Sequence, residues 1–303
     1  MSEQAKSPRS KSPRHVAQVI RAMDTSDGAG VSLKRSVGSP ALDMLDPFLM
    51  LDSISTDKAD DYIAGFPDHP HRGFETVTYM VEGAMRHQDS TGADGILRSG
   101  GVQWMTAGSG IIHSETPQQE AGLLQGFQLW INLPGRDKMK PPRYQNLEAD
   151  EVVEITPKPG VDLRLVTGSV EGKTGPVSGI ATAPLFVDVK LAQGAEITLP
   201  VPHGHAAIAY VFIGTADIAG TSIATHHLAV LADGNEVTLR GGDGGGRLLL
   251  IAAAPINEPV ARYGPFVMNT KAELMQAFDD FQKGRFVAST AIPRHRPPAH
   301  SKS

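Results

Sequence analysis

Residues 68–83, DHPHRGFETVTYMVEG, and residues 102–117, VQWMTAGSGIIHSETP, each carry two polar side chains spaced by one residue inside a β-rich run. On an extended strand, positions i and i+2 face the same way. His69 and His71 therefore project together, and so do His113 and Glu115. Two such strands facing each other inside a barrel offer three imidazoles and one carboxylate to a single point. That donor set, nitrogen and oxygen without sulfur, suits Fe(II), Mn(II), Ni(II), Cu(II) or Zn(II). A lone His-x-His in a β protein is more often a surface feature or a satisfied core pair. The second pair, with His113 lying 42 residues after His71, turns the reading toward a metal site.

Outward from these motifs the chain reads as mostly β. ETVTYMV (75–81), VQWMTA (102–107), FQLWINL (127–133), LFVDVKL (185–191), AIAYVFI (207–213) and LLLIAAA (248–254) are short runs bounded by Gly, Pro, Asp or Asn, the pattern of strands in sandwiches and barrels. Several are nearly continuous in apolar residues, which predicts burial on both faces. One helix is expected near the end. Thr270 to Glu273 has capping-box form, and Leu274, Ala277, Phe278 and Phe281 follow at helical spacing before Gly284. The polar stretch 134–154 reads as a linker between two β domains, at 15–145 and 146–292.

Composition narrows the function classes. With 40% hydrophobic and 20% charged residues the chain has the make-up of a globular domain. The absence of cysteine excludes disulfides, thiolate-bound metal and a cysteine nucleophile. No run approaches the roughly 18 apolar residues that span a bilayer, and the N-terminus has no apolar signal region. The chain therefore reads as cytoplasmic, with no membrane partner. Residues 1–14 repeat Lys-Ser-Pro-Arg and read as a disordered basic tail, as do residues 293–303. Without these tails the body carries a net charge of −11; phosphate backbones repel it, and no specific nucleic-acid binding is expected.

A second His-x-His, His203 and His205, hints at duplication. The 42-residue step from His205 lands on Arg247, a cation that repels a metal, and His226 and His227 are adjacent and so face opposite sides. The second half is expected to be metal-free. GGDGGG (241–246) lacks the Lys-Ser/Thr of a phosphate loop and reads as a flexible hairpin loop.

HPHRGFETVTYMVEG and QWMTAGSGIIHSE resemble the signatures of the pirins, a branch of the cupin superfamily, and YGPFVMNTKAELMQAFDDFQKGRF (263–286) resembles the pirin end segment. The resemblance spans roughly residues 15 to 290. It implies two cupin-type (jelly-roll) β-barrel domains with a short C-terminal helix. It also implies one mononuclear iron, Fe(II), in the N-terminal barrel, held by His69, His71, His113 and Glu115. Cupins in general place a ligand carboxylate where Glu75 stands. In pirins that acid is not a ligand, so Glu75 is expected to orient a ligand or pair with Arg72.

Some pirins resemble quercetin 2,3-dioxygenases, which split a flavonol heterocycle with dioxygen and release carbon monoxide. This makes the leading expectation a metal-dependent dioxygenase acting on a small aromatic or enol substrate and dioxygen. Four ligands leave two octahedral positions open for reactants, and Glu115 is the candidate catalytic base. Met80, Trp104, Met105, Phe127 and Leu129 are candidates to line a flat pocket, with plain barrel core the equal alternative for each. The rival class is an iron-binding regulator acting through protein partners, including transcription factors, with no turnover. An isomerase or carbohydrate-binding role rests on fold alone. Turnover of quercetin by iron-loaded protein separates the first two readings, which use the same ligands.

Overall fold

The computed structural model describes residues 11–287 of the chain. Two compact units emerge, each built on antiparallel strands. Of the described residues, one comprises 24–37, 48–150 and 256–287; the other comprises 11–23, 38–47 and 151–255. Among the described residues no helix is long and apolar enough to cross a membrane.

The unit holding the quoted motifs is two facing sheets. Four strands run in the order Phe66–His71, Ile111–Pro117, Ala84–Asp89 and Asp94–Arg98. Seven run in the order Arg143–Leu147, Val102–Thr106, Phe74–Glu82, Leu124–Asn132, Phe48–Thr56, Val31–Arg35 and Met23–Asp27. Met80 and Leu124 of the larger sheet pack with Met85 and Leu97 of the smaller one, closing one end of the barrel with an apolar plug. The opposite end keeps the polar residues of the site.

The other unit is a nine-stranded sheet that wraps an interior of aliphatic side chains, among them Leu163, Val187, Ala209, Ala229, Leu248 and Leu250. Two long strands, Ala206–Ile218 and Glu236–Ala253, carry its curvature, and their register slips between Val211 and Ile213 and between Gly214 and Ala216. The glycine run expected as a hairpin loop lies within the second of these strands. A Cβ on Gly246 would meet the Thr215 carbonyl oxygen at 2.3 Å, and one on Gly245 the Leu191 oxygen at 2.6 Å. At these two positions backbones approach too closely for any side chain, whereas Gly244 faces open space at φ +75°, a conformation that favours glycine.

The boundaries differ from those expected at 15–145 and 146–292, for three physical reasons. Strand Val16–Arg21 pairs with His227–Leu231 and so belongs to the aliphatic barrel. Part of the supposed linker is structure: Arg143–Leu147 pairs with Val102–Thr106, and Lys138 is buried. Its Nζ donates to Gly73 O (2.8 Å), Asn132 Oδ1 (2.6 Å) and Val267 O (3.0 Å), which satisfies all three of its donors. Burial pushes its pKa down to about 8, partly opposed by Glu258 and Glu273. Finally, residues 256–287 return to the first unit.

Residues 11–14, expected in the disordered tail, are held in place. The Arg14 side chain is fully enclosed, donating to Ala232 O (3.0 Å) and Pro202 O (2.7 Å). The expected tail segments 1–10 and 293–303 lie outside the described residues.

Helix α1, Lys271–Gln282, forms as its sequence predicts. The Glu273 amide donates to Thr270 Oγ1 (3.2 Å), and the Thr270 amide donates to Glu273 Oε2 (2.9 Å). Ala277 is buried, and Leu274 and Phe278 pack with Phe266, Phe286 and Ile112, the neighbour of His113.

Candidate metal centre

Antiparallel pairing sets His113 opposite His69 and Ile111 opposite His71, so alternation brings both histidine motifs to one face. The His69 ring centroid lies 4.7 Å from that of His71 and 4.3 Å from that of His113, and His71 and His113 are 4.9 Å apart. One nitrogen from each ring lies within 4.8 Å of the others. Small ring rotations bring such atoms to the roughly 2.0–2.2 Å bond lengths of a shared ion.

The histidines differ in setting. His69 is half-buried and its Nδ1–H donates to Pro67 O at 2.8 Å, which leaves Nε2 as the ligand atom. His71 and His113 are only 2% and 1% exposed. Burial pushes the His71 pKa well below its ordinary value, and the nearby His69 pushes it further; the Pro265 carbonyl opposes this only in part. Its two ring nitrogens are enclosed without a well-formed hydrogen bond. A buried, neutral imidazole with unmet lone-pair demand fits a metal ligand, and the sulfur-free set fits a hard or borderline divalent ion.

Between His113 and Glu115 the register slips, and Glu115 pairs with Phe66. The extra residue lies on the Phe66–His71 strand, while Glu115 keeps unbroken register with His87 on Ala84–Asp89. Glu115 is 3% exposed and does not join the three-histidine group. Its Oε1 accepts from Thr78 Oγ1 (3.2 Å) and its Oε2 from Gln128 Nε2 (2.9 Å), side chains that sit cross-strand from each other on the larger sheet. Gln128 Oε1 in turn accepts from the Trp130 indole N–H at 3.0 Å.

Register on the larger sheet divides its residues into two faces. Thr78, Gln128, Trp130, Gln103 and Met105 share the histidine face; Glu75, Val77, Trp104, Phe127 and Leu129 share the other. Trp104, Phe127 and Leu129 therefore do not line the site. Met80 is on the histidine face but at the plugged end, and Met105 approaches the Tyr144 hydroxyl (3.1 Å). The aromatic walls are Trp130, 5.0 Å from His71, and Phe74, 4.4 Å from Trp130 and 5.1 Å from His71.

Glu75 also departs from expectation. It accepts from Thr106 Oγ1 at 2.6 Å on the far face, and burial raises its pKa. Arg72 pairs with Asp280 of α1 instead: Nη1 lies 2.8 Å from Asp280 Oδ2, Nε donates to Ser109 O at 2.6 Å, and the guanidinium stacks 4.4 Å from the Phe286 ring. The C-terminal segment thus clamps the turn that follows His71.

Gly73 completes that turn at φ +89°, where an added Cβ would sit 1.9 Å from the Val267 carbonyl oxygen. Gly73→Ala is expected to cost about 3 kcal/mol or more through backbone strain and displacement of this contact. Thermal unfolding checks it: an unchanged Tm would mean the turn is not constrained as described.

One buried histidine was not foreseen. His87 sits cross-strand from Glu115, with its ring 4.9 Å from His113. Its Nδ1 lies 2.6 Å from Gln103 Oε1 and its Nε2 3.2 Å from the Tyr144 hydroxyl. The signal was the alternation Met85, His87, Asp89, all three buried.

The second histidine pair lies in a turn rather than on a strand. His203 is exposed, 3.2 Å from Asp233, and Arg247 pairs with the buried Asp188 at 2.6 Å. The barrel interior there is aliphatic, and the three-histidine group is the only candidate metal cluster among the described residues. Changing His203 and His205 to Ala should leave metal content at one per chain; loss of half the metal in elemental analysis would refute this.

Comparison with known proteins agrees with this geometry. Residues 30–131 match the Pirin family model and residues 186–287 the Pirin C-terminal cupin domain. A pirin-like protein of Caulobacter vibrioides is 48% identical over 90% of this chain and 99% of its own length. The mouse protein named Pirin is 42% identical over 90% and 94% respectively. Among solved structures, a quercetin 2,3-dioxygenase of Acinetobacter baumannii superposes with a TM-score of 0.83 at 34% identity, over 90% of this chain and 98% of that one. Two matched domains, and a relative nearly half identical along its whole length, make this chain a member of the pirin family, with two cupin-type domains.

Proposed function

We propose that this protein is a mononuclear Fe(II) dioxygenase that cleaves a flavonol, quercetin-like, or a related enol with dioxygen, with His69, His71, His113 and Glu115 holding the metal. The observations that carry the reading are the histidine triad and, two residues beyond His113 on the same strand, a buried carboxylate held by Thr78 and Gln128. Likeness to the Acinetobacter baumannii quercetin 2,3-dioxygenase supports the substrate class. A divalent iron bound there supplies Lewis-acid polarisation of an enol oxygen and a template for dioxygen.

The protein's own groups do the rest. Trp130 and Phe74 offer flat apolar walls beside His71, suited to an aromatic ring. Glu115 has four lone-pair sites, and each of its oxygens accepts one side-chain hydrogen bond. A pair on each oxygen stays available, enough to bind an ion and to take the enol proton. Burial of His71, His113 and Glu115 keeps bulk water from that proton.

The test is elemental analysis of purified protein followed by oxygen uptake with Fe(II)-loaded protein and a panel of flavonols and simpler enols. Oxygen uptake with release of carbon monoxide from a flavonol is the expected result. No uptake across the panel would defeat the dioxygenase reading and favour a regulator acting through protein partners.

A further inference from the structure

Three residues outside the proposed ligand set form a directed chain ending on Glu115. The Trp130 indole N–H donates to Gln128 Oε1 (3.0 Å), Gln128 Nε2 donates to Glu115 Oε2 (2.9 Å), and Thr78 donates to the other carboxylate oxygen (3.2 Å). An indole nitrogen can only donate and an ionised carboxylate can only accept. The Gln128 amide lies between them and has one orientation that satisfies both ends. Turned over, its carbonyl would face the carboxylate and its NH₂ group the indole N–H, losing two hydrogen bonds at once. Trp130 is itself held by packing on Phe74 and His71, so the lock is anchored to the histidine strand.

We propose that Gln128, locked by Trp130, is the positioning residue that sets the Glu115 carboxylate toward the histidine triad. The inference rests on Glu115 being the fourth ligand. Glu115 keeps unbroken register with His87 on the neighbouring strand, and both of its carboxylate oxygens accept hydrogen bonds from side chains across the barrel. Gln128 and Thr78, directly opposed on neighbouring strands, give it two fixed points. Their action is argued through Glu115, whose two oxygens they hold.

The experiment is a set of coupled variants of the full chain, read by competition for nickel(II) against a chelator and by Tm. Gln128→Leu keeps the bulk and removes the amide; about 10–100-fold weaker nickel binding is expected, the usual loss for an outer partner of a ligand. Trp130→Phe keeps the ring against Phe74 and removes the N–H; a smaller loss in the same direction is expected. In the Gln128→Leu background, Trp130→Phe should add less than twofold. In a Glu115→Ala background, neither should change nickel affinity further. A purely structural role predicts the opposite, losses that multiply in every background and follow Tm.

If Glu115→Ala alone leaves nickel affinity unchanged, the fourth-ligand reading fails. If Glu115→Ala weakens binding while Gln128→Leu does not, the positioning role is overturned and the ligand reading stands.

Discussion

Replacing His113 with Ala should remove the metal and every metal-dependent activity together while the chain still folds. His113 lies at the middle of its strand, 1% exposed, with the rings of His69, His71 and His87 each within 5 Å. Its loss takes one nitrogen from a three-nitrogen set. The drop in affinity should exceed the roughly 10–100-fold typical of losing a supporting residue.

His69 provides the contrast. It is half-buried, so water can replace its nitrogen more easily, and His69→Ala should retain more metal than His113→Ala. Removing a buried side chain of this size costs about 2–5 kcal/mol of stability, enough to lower Tm without unfolding a domain whose sheets close elsewhere on Met80, Met85, Leu97 and Leu124. Metal content by elemental analysis, with circular dichroism as the control for folding, checks the expectation. A folded His113→Ala protein with full metal content would remove this residue from the ligand set.

Much of the site could be read from local spacing because strand alternation is a local rule. Numbering paired His69 with His71 and His113 with Glu115 on two strands expected to face each other inside a barrel; the strands are instead neighbours in one sheet, and their antiparallel pairing brings the three histidines together. The walls were misassigned because Leu124–Asn132 is buried along nearly its whole length, so hydrophobicity does not reveal which phase faces inward. Gln128 was the clue. An amide amid apolar neighbours needs polar partners, and its phase selects Trp130 over Phe127 and Leu129.

The packing of the C-terminal segment was hidden for a different reason. Chain order put it with the second barrel, and nothing in its periodicity announces that Asp280 pairs with Arg72, 208 residues away. The glycine run at 241–246 was misread because a composition typical of loops also serves where backbones must nearly touch.

Glu115→Gln separates holding the metal from moving the proton. The introduced amide keeps the shape of the carboxylate and one oxygen able to coordinate, but it loses basicity and becomes a donor on one side. Where that donor points follows from the neighbours. Gln128 presents an N–H fixed by Trp130, so the amide oxygen must face Gln128. Its NH₂ group then faces Thr78, whose hydroxyl can rotate to accept. The variant is therefore accommodated with both hydrogen bonds remade, and the fold and histidine triad should persist.

Iron should still bind, about 10–100-fold more weakly. Oxygen uptake with a flavonol by fully iron-loaded protein should fall by about 10²–10⁴-fold, the usual cost of a lost general base. The measurement is kcat at saturating substrate with metal content determined on the same sample, so that weaker loading is not read as slower chemistry. An iron-replete Glu115→Gln protein with wild-type kcat would refute the proton-accepting role while leaving the metal site as proposed. Loss of metal with no residual binding would show instead that the carboxylate's charge is what holds the ion.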